Sequence, residues 1–131
     1  MNRITFGKLF ELYCDIFETF GIYLLHETDE MIDYYVFEAT DINIGYCSGR
    51  ILNLFLDEGI INEEISADSS LLLKKFRSIE NTDLWNAESV KNSLEWLELM
   101  EQSEKIKKMI KAKWTDEELE EIYRFNQAVS F

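Results

Sequence analysis

The chain contains no proline in its 131 residues. Proline supplies about 5% of an average protein and is common in loops and at strand edges, so its absence favours helices joined by short turns. The five glycines leave little material for the tight turns of β-hairpins. Because 47% of the residues are hydrophobic, a core can form. The sequence therefore predicts an all-α fold, a single compact helical domain of about five to seven helices over residues 1–131. A loop near 81–86 could divide it into two lobes.

The first helix is indicated by apolar residues that recur at three- and four-residue steps over residues 6–20. Thr5 is placed to cap this helix, and Gly21 follows its last periodic residue. We therefore expect one buried apolar face on a helix that spans most of residues 6–20.

Residues 22–46 are compatible with either a helix or a strand. The run 34–37 is rich in residues of strand propensity. Apolar and polar residues do not alternate there, however, so a helix is favoured. Asp29 could cap that helix. A third helix is predicted to begin near Asp41 and to end at Gly59.

Polar capping residues mark the next boundaries. Asn62 is placed to cap a helix over about 63–80, and residues 81–83 are predicted to form a loop. A long helix is then predicted from Asn86, with an interruption near 102–103.

The start of the last helix is the best marked boundary. Thr115 and Glu118 have the spacing of a capping box, and Trp114 and Leu119 have the spacing of the hydrophobic staple that accompanies it. We expect the last helix to begin here and to bury apolar residues as far as Val129.

The sequence contains no motif for catalysis or metal binding. His26 is the single histidine, and Cys14 and Cys47 form no CxxC motif, so zinc and di-iron sites would lack ligands. An EF-hand alignment that starts at Asp41 fails, because Leu52 stands where that calcium loop requires glutamate. We therefore expect no catalytic residue, no cofactor and no metal. The two cysteines are interpreted as buried thiols of a cytoplasmic protein.

Charge is unevenly distributed along the chain. The 26 acidic residues exceed the 13 lysines and arginines, for a net charge of −13. Residues 9–73 contain 14 acids and one base, Arg50, whereas residues 74–131 contain 12 acids and 10 bases. Such a negative field repels nucleic acid and accelerates encounter with a basic surface, although an acidic surface also serves solubility. No apolar run approaches the roughly 20 residues of a membrane helix. We therefore expect a basic protein partner, no direct nucleic-acid binding and no membrane.

The candidate partner-binding residues are carboxylates of the acidic half. Glu11, Asp15 and Glu18 follow the helical step on one face of the first helix, where no lysine is expected to neutralise them. Tyrosines, which are enriched in protein interfaces, accompany these acids, although most of their rings are expected in the core. The predicted contact residues are Glu11, Asp15, Glu18, Glu27, Asp29, Glu30, Asp33, Asp57, Glu58, Glu63 and Glu64.

A basic segment near the C-terminus carries five lysines, Lys105, Lys107, Lys108, Lys111 and Lys113. On a helix these lysines would spread around most of the circumference. We interpret them as solvated charges that offset the nearby Glu101 and Glu104 and that suit the negative end of the helix dipole. A nucleic-acid site is disfavoured because the rest of the chain is acidic.

In these features the chain resembles the small acidic immunity proteins of bacterial toxin systems, such as contact-dependent inhibition and colicin immunity. The resemblance is one of general character: compact, strongly acidic, aromatic-rich and without a catalytic motif. It is carried by the carboxylates between Glu11 and Asp68, not by a signature motif. It implies a cognate nuclease toxin whose basic substrate groove is covered. Carboxylates can pair there with the lysines and arginines that would otherwise hold phosphate.

Other functions remain open from the sequence. One is a phage-encoded inhibitor of a defence nuclease, which would use the same acidic surface. Another is a helical adaptor or regulatory domain that recognises a peptide through an apolar groove, for which binding would depend weakly on salt. An enzyme is the least supported reading, because the acids are too numerous for any pair of them to be informative.

Overall fold

A computed structural model of the chain describes residues 4–39 and 44–129. Within these residues it contains seven α-helices, three short 3₁₀ or π-helical segments and one two-stranded antiparallel sheet. The prediction of an all-α fold is therefore confirmed. None of the described helices is long and apolar enough to cross a membrane.

The elements follow one another with short connections. In chain order they are β1 (Ile4–Thr5), α1 (Phe6–Thr19), a first 3₁₀ helix (Ile22–His26), α2 (Asp29–Tyr34), a π-helical turn (Tyr35–Ala39), a second 3₁₀ helix (Ile44–Cys47), α3 (Gly49–Asp57), α4 (Glu63–Ile79), α5 (Ala87–Asn92), α6 (Leu94–Lys113), α7 (Asp116–Tyr123) and β2 (Ala128–Val129).

Helix α1 begins as its capping residue predicts and packs against α6, α7 and both 3₁₀ helices. The Thr5 side-chain oxygen accepts a hydrogen bond from the Lys8 backbone N–H at 3.1 Å. Its apolar face is fully buried, and the rings of Tyr13 and Phe17 meet edge to face with their centroids 4.9 Å apart. This helix therefore organises the core.

The core is one cluster that includes residues from both sides of the 81–86 loop. Helices α4 and α6 pack against each other. Each of them contributes one fully buried serine, Ser69 and Ser103. The Tyr13 hydroxyl lies 2.7 Å from the Ser69 hydroxyl, whereas no hydrogen-bond partner for the Ser103 hydroxyl is present among the described residues.

The two ends of the described chain meet beside the start of α1. Strands β1 and β2 pair antiparallel, and the Phe6 and Gly7 N–H groups donate to the carbonyl oxygens of Gln127 and Phe125 at 2.8 and 2.9 Å. A Cβ atom at Gly7 would lie 2.2 Å from the carbonyl oxygen of Tyr123. The C-terminal segment therefore crosses α1 where only glycine fits.

The region that was ambiguous between helix and strand is helical over residues 22–26 and 29–39. The predicted capping residue of α2 was wrong. The Thr28 side chain, not that of Asp29, accepts the hydrogen bond from Met31 N–H at 3.2 Å. Asp29 instead lies in the first turn, where its charge suits the helix dipole.

The next helix differs from its prediction at the start and agrees at the end. The predicted start near Asp41 lies outside the described residues, and α3 begins at Gly49. Its last residue is Asp57, and Gly59 follows with a φ of +70°, which L side chains rarely adopt. The prediction that Gly59 ends this helix is therefore confirmed.

The long helix predicted from Asn86 is in fact two helices, because the chain is extended at Ser93 (φ −94°, ψ 146°). The Ser93 side chain accepts from Trp96 N–H at 3.2 Å and so caps α6. The predicted interruption near 102–103 was wrong. These two residues lie within a continuous helix, and the Gln102 side chain donates to the Asp68 carbonyl at 3.0 Å.

Two other boundaries agree with their capping residues. Asn62 accepts from Ile65 N–H at 2.9 Å and caps α4. Thr115 and Glu118 form the predicted capping box, with reciprocal hydrogen bonds of 3.1 and 2.9 Å. The last helix is shorter than predicted, however, because α7 ends at Tyr123 and Val129 belongs to β2.

Candidate partner-binding surface

The carboxylate stripe on α1 is partly neutralised. Lys8 Nζ lies 2.9 Å from Glu11 Oε1, and Lys107 Nζ lies 3.0 Å from Glu18 Oε2. The expectation that no lysine relieves this stripe was wrong. One lysine comes from the first turn of α1 and the other from α6, which is distant in sequence. Asp15, between the two pairs, is exposed. The pKa of the Asp15 carboxyl is nevertheless raised, first by partial desolvation and second by the negative charge of Glu11.

A groove of about 320 Å³ runs between α1, α6 and α7. Its charged lining is mixed, with Lys107 and Lys111 facing acids of α1 and α7. Cys14 also lines it, and burial raises the pKa of this thiol to about 12, so the thiol stays protonated at neutral pH. The groove therefore offers no ionised nucleophile, and its two lysines offset only part of the charge of its four carboxylates, Asp15, Glu18, Asp116 and Glu120.

Two of the predicted contact residues on α2 hold the fold together. Asp29 forms an ion pair with Lys91. Asp33 Oδ1 accepts a hydrogen bond from the Ala87 N–H at 2.8 Å, at the first residue of α5. These two carboxylates therefore join α2 to α5, and their charges are partly satisfied within the chain.

The other acids of this region remain unpaired. Glu27, Glu30 and Glu38 are exposed, and the ion pairs among the described residues include none of them. Residues 22–39 contain no lysine or arginine. These three acids therefore have no paired base among the described residues, although three lysines of α6 line a neighbouring depression together with Tyr23: Lys105, Lys107 and Lys108.

Three aromatic rings are exposed on the same segment. Relative exposure is 72% for Tyr23, 53% for Tyr34 and 54% for Phe37. Aromatic residues are enriched in protein interfaces, so exposed rings are candidates for partner contact. We give the name acidic–aromatic surface to the exposed acids, tyrosines and phenylalanine of residues 22–39 that take part in none of the ion pairs of the described residues: Tyr23, Glu27, Glu30, Tyr34, Phe37 and Glu38. Sequence reasoning missed Phe37 and Glu38, although the aromatic run 34–37 was a usable signal.

A depression of about 170 Å³ lies at one side of the acidic–aromatic surface. Its lining includes Glu18 of α1 and Glu27, two of the predicted contact residues, together with Tyr23 and Tyr35. Thr19 and Leu24 complete its lining.

The remaining predicted contact residues form a separate group at the connection between α3 and α4. Asp57 ends α3 and Glu58 is its C-cap, while Glu63 and Glu64 occupy the first turn of α4. All four are exposed. The negative charges of Glu63 and Glu64 interact favourably with the positive N-terminal end of the α4 dipole, which gives both residues a structural role.

The lysines of α6 pair across elements. Besides the pair to Glu18, Lys105 Nζ lies 3.1 Å from Asp68 Oδ2, and Lys111 Nζ lies 3.7 Å from Asp116 Oδ1. The expected partners differ from the observed ones. The Glu104 carboxylate accepts instead from the Ile22 N–H at 3.1 Å. Among the described residues, these three lysines of the basic segment therefore pair with acids of other helices and not with Glu101 or Glu104 of their own helix.

The remaining candidate groups offer little chemistry. His26 is exposed, with its ring 5.6 Å from that of Tyr23. Burial raises the pKa of the Cys47 thiol to about 12. Among the described residues, no group of three or more His, Cys, Asp or Glu side chains is arranged to hold a metal ion.

No protein-family model matches the chain, and neither the curated proteins nor the solved structures include a significant match to it.

Proposed function

We propose that the protein is an immunity protein that binds a basic nuclease toxin in the bacterial cytoplasm and covers its active site. The observation that carries this proposal is the acidic–aromatic surface. It presents three unpaired carboxylates and three exposed aromatic rings within residues 22–39. The protein would act by occupying the groove that the toxin uses for nucleic acid.

The charge of the N-terminal half supports this function. Of the 14 acids in residues 9–73, four take part in the ion pairs of the described residues: Glu11, Glu18, Asp29 and Asp68. The remainder keep a strong negative field, which accelerates encounter with a basic partner by electrostatic steering.

Charge alone would give fast association but not tight binding. The exposed rings of Tyr23, Tyr34 and Phe37 supply apolar area that becomes buried in a complex. Tyrosine in particular is enriched among residues whose truncation costs most binding energy. The surface therefore combines steering with the means of forming a stable complex.

Affinity purification of the tagged protein from its native host tests the proposal. We expect a basic protein to co-purify, to cleave nucleic acid when isolated, and to lose that activity when the protein is added back. Association should slow strongly as salt is raised, because exposed charges act over about 8–10 Å at physiological ionic strength. A partner without nuclease activity, or binding that is insensitive to salt, would contradict the proposal. The second result would favour an adaptor that recognises an apolar peptide.

A further inference from the structure

The depression beside Tyr23 is small and has an unusual lining. Its volume of about 170 Å³ is below the roughly 300–1,000 Å³ of pockets that hold whole small molecules. It suits a single side chain. Two acidic residues, Glu18 and Glu27, and two tyrosines, Tyr23 and Tyr35, line it together with Thr19 and Leu24.

This lining matches one chemistry. Tyrosine rings attract a cation over their faces, and carboxylates pair with a cation through charge-assisted hydrogen bonds. Glu18 is shared with Lys107, whose Nζ lies 3.0 Å from Glu18 Oε2. Glu27 belongs to none of the ion pairs among the described residues and so is available to an incoming cation.

We propose that this depression binds one cationic side chain of the partner, an arginine. The inference rests on the proposed function and names the group that the site recognises. Arginine fits better than lysine because its guanidinium is planar: it stacks on an aromatic ring while its N–H groups fork toward a carboxylate. Tyr23, which is 72% exposed in the free protein, becomes covered when the arginine enters.

Short peptides test this inference without the natural partner. The probe is the blocked tripeptide Gly-Arg-Gly, with two controls: the lysine peptide and the citrulline peptide, whose side chain has the shape of arginine without its charge. Binding is followed by chemical shifts of the ¹⁵N-labelled full chain. We expect saturable shifts centred on the amides of Tyr23, Glu27 and Tyr35, weaker shifts with lysine and none with citrulline.

Two variants and a matched control locate the site. Glu27→Gln and Tyr23→Ala should each raise the dissociation constant of the arginine peptide by about tenfold. Glu64→Gln, which removes an exposed carboxylate of the separate α4 group, should leave it unchanged. All three positions are exposed, so dispersed amide spectra can confirm that each variant is folded.

Three outcomes would overturn the inference: no saturable shift, equal shifts with the citrulline peptide, or equal weakening by Glu64→Gln. The proposed function can be contradicted independently of this inference. If Glu27→Gln and Tyr23→Ala leave the affinity for a co-purified nuclease unchanged, the arginine pocket is wrong and the immunity function stands. If no basic partner exists but the arginine peptide binds as described, the function is wrong and the pocket stands.

Discussion

Lys107 Nζ lies 3.0 Å from Glu18 Oε2, so a lysine of α6 neutralises an acid of α1 that lines the depression beside Tyr23. The pair has a structural and a functional consequence. It links two helices that are distant in sequence, and it reduces the negative charge that the proposed basic partner would meet.

Replacing this lysine separates the two consequences. Lys107→Gln should cost only about 0–1 kcal/mol of unfolding free energy, because the Glu18 side chain is 55% exposed and partly exposed ion pairs contribute little. It should strengthen binding to a basic partner, since Glu18 is released. Lys108→Gln makes the same charge change at an exposed neighbour outside the ion pairs of the described residues. Equal affinities for the two variants would mean that only net charge matters.

The two buried serines should respond oppositely to alanine. Ser69→Ala removes the partner of the Tyr13 hydroxyl and leaves that group unsatisfied in the core, at a cost of about 1–3 kcal/mol. Ser103→Ala removes a buried hydroxyl that has no described partner, so it should be neutral or stabilising. Urea denaturation measures both. Equal destabilisation would indicate that the Tyr13–Ser69 bond is absent in solution.

The crossing of the C-terminal segment over α1 leaves no room for a side chain at Gly7. In Gly7→Ala the Cβ would lie 2.2 Å from the Tyr123 carbonyl oxygen, and backbone must move, at a cost of about 1–3 kcal/mol or more. Gly49→Ala, at the first residue of α3, meets no atom within 4 Å and should be neutral or stabilising by about 0.4–1 kcal/mol. Thermal unfolding of the two variants distinguishes them. A tolerated Gly7→Ala would show that the crossing is looser than described.

The two thiols should be unreactive in the folded protein. Burial raises the pKa of Cys14 and of Cys47 to about 12, above the value of about 8.5 for a solvated thiol. Both should alkylate slowly with iodoacetamide at pH 8 and rapidly in urea. Fast alkylation without denaturant would contradict their burial.

The raised pKa values of the two thiols also determine how the free energy of unfolding changes with pH. Between the unfolded and folded pKa values the folded state binds more protons, so the free energy of unfolding should fall as pH rises from about 8 to 10. This fall should be smaller in the Cys14→Ala/Cys47→Ala variant. An equal fall in both proteins would mean that other groups, such as the buried Tyr13 hydroxyl, govern alkaline stability.

Local capping signals predicted much of the fold. Thr5, Asn62 and Thr115 each accept a backbone N–H three residues on, a geometry that depends only on neighbouring residues. The start of α6 was missed although Ser93 is a capping residue of the same kind as Thr5 and Asn62, because the surrounding apolar pattern favoured one helix. Apolar residues continue at helical spacing past Ser93, as they would in a single unbroken helix.

The site was less predictable because its contacts join distant residues. The charge pattern selected Glu27 and Glu30, which are exposed and unpaired, but it also selected Asp33, which bonds to the Ala87 N–H. Neither that bond nor the Lys107–Glu18 pair follows from spacing along one helix, since each depends on how two helices pack. The exposure of the 34–37 aromatic run likewise depends on which face the fold buries.

The central claim is that the acidic–aromatic surface binds the partner, and matched charge reversals test it most directly. One variant reverses Glu27, Glu30 and Glu38 to lysine. The other reverses three exposed acids of α6 and α7, Glu101, Glu120 and Glu121, so that net charge changes equally. Titration against the co-purified partner should show the first variant weakened by several kcal/mol, as for charge pairs within an interface, and the second weakened far less. Equal weakening, or greater loss in the second variant, would contradict the account.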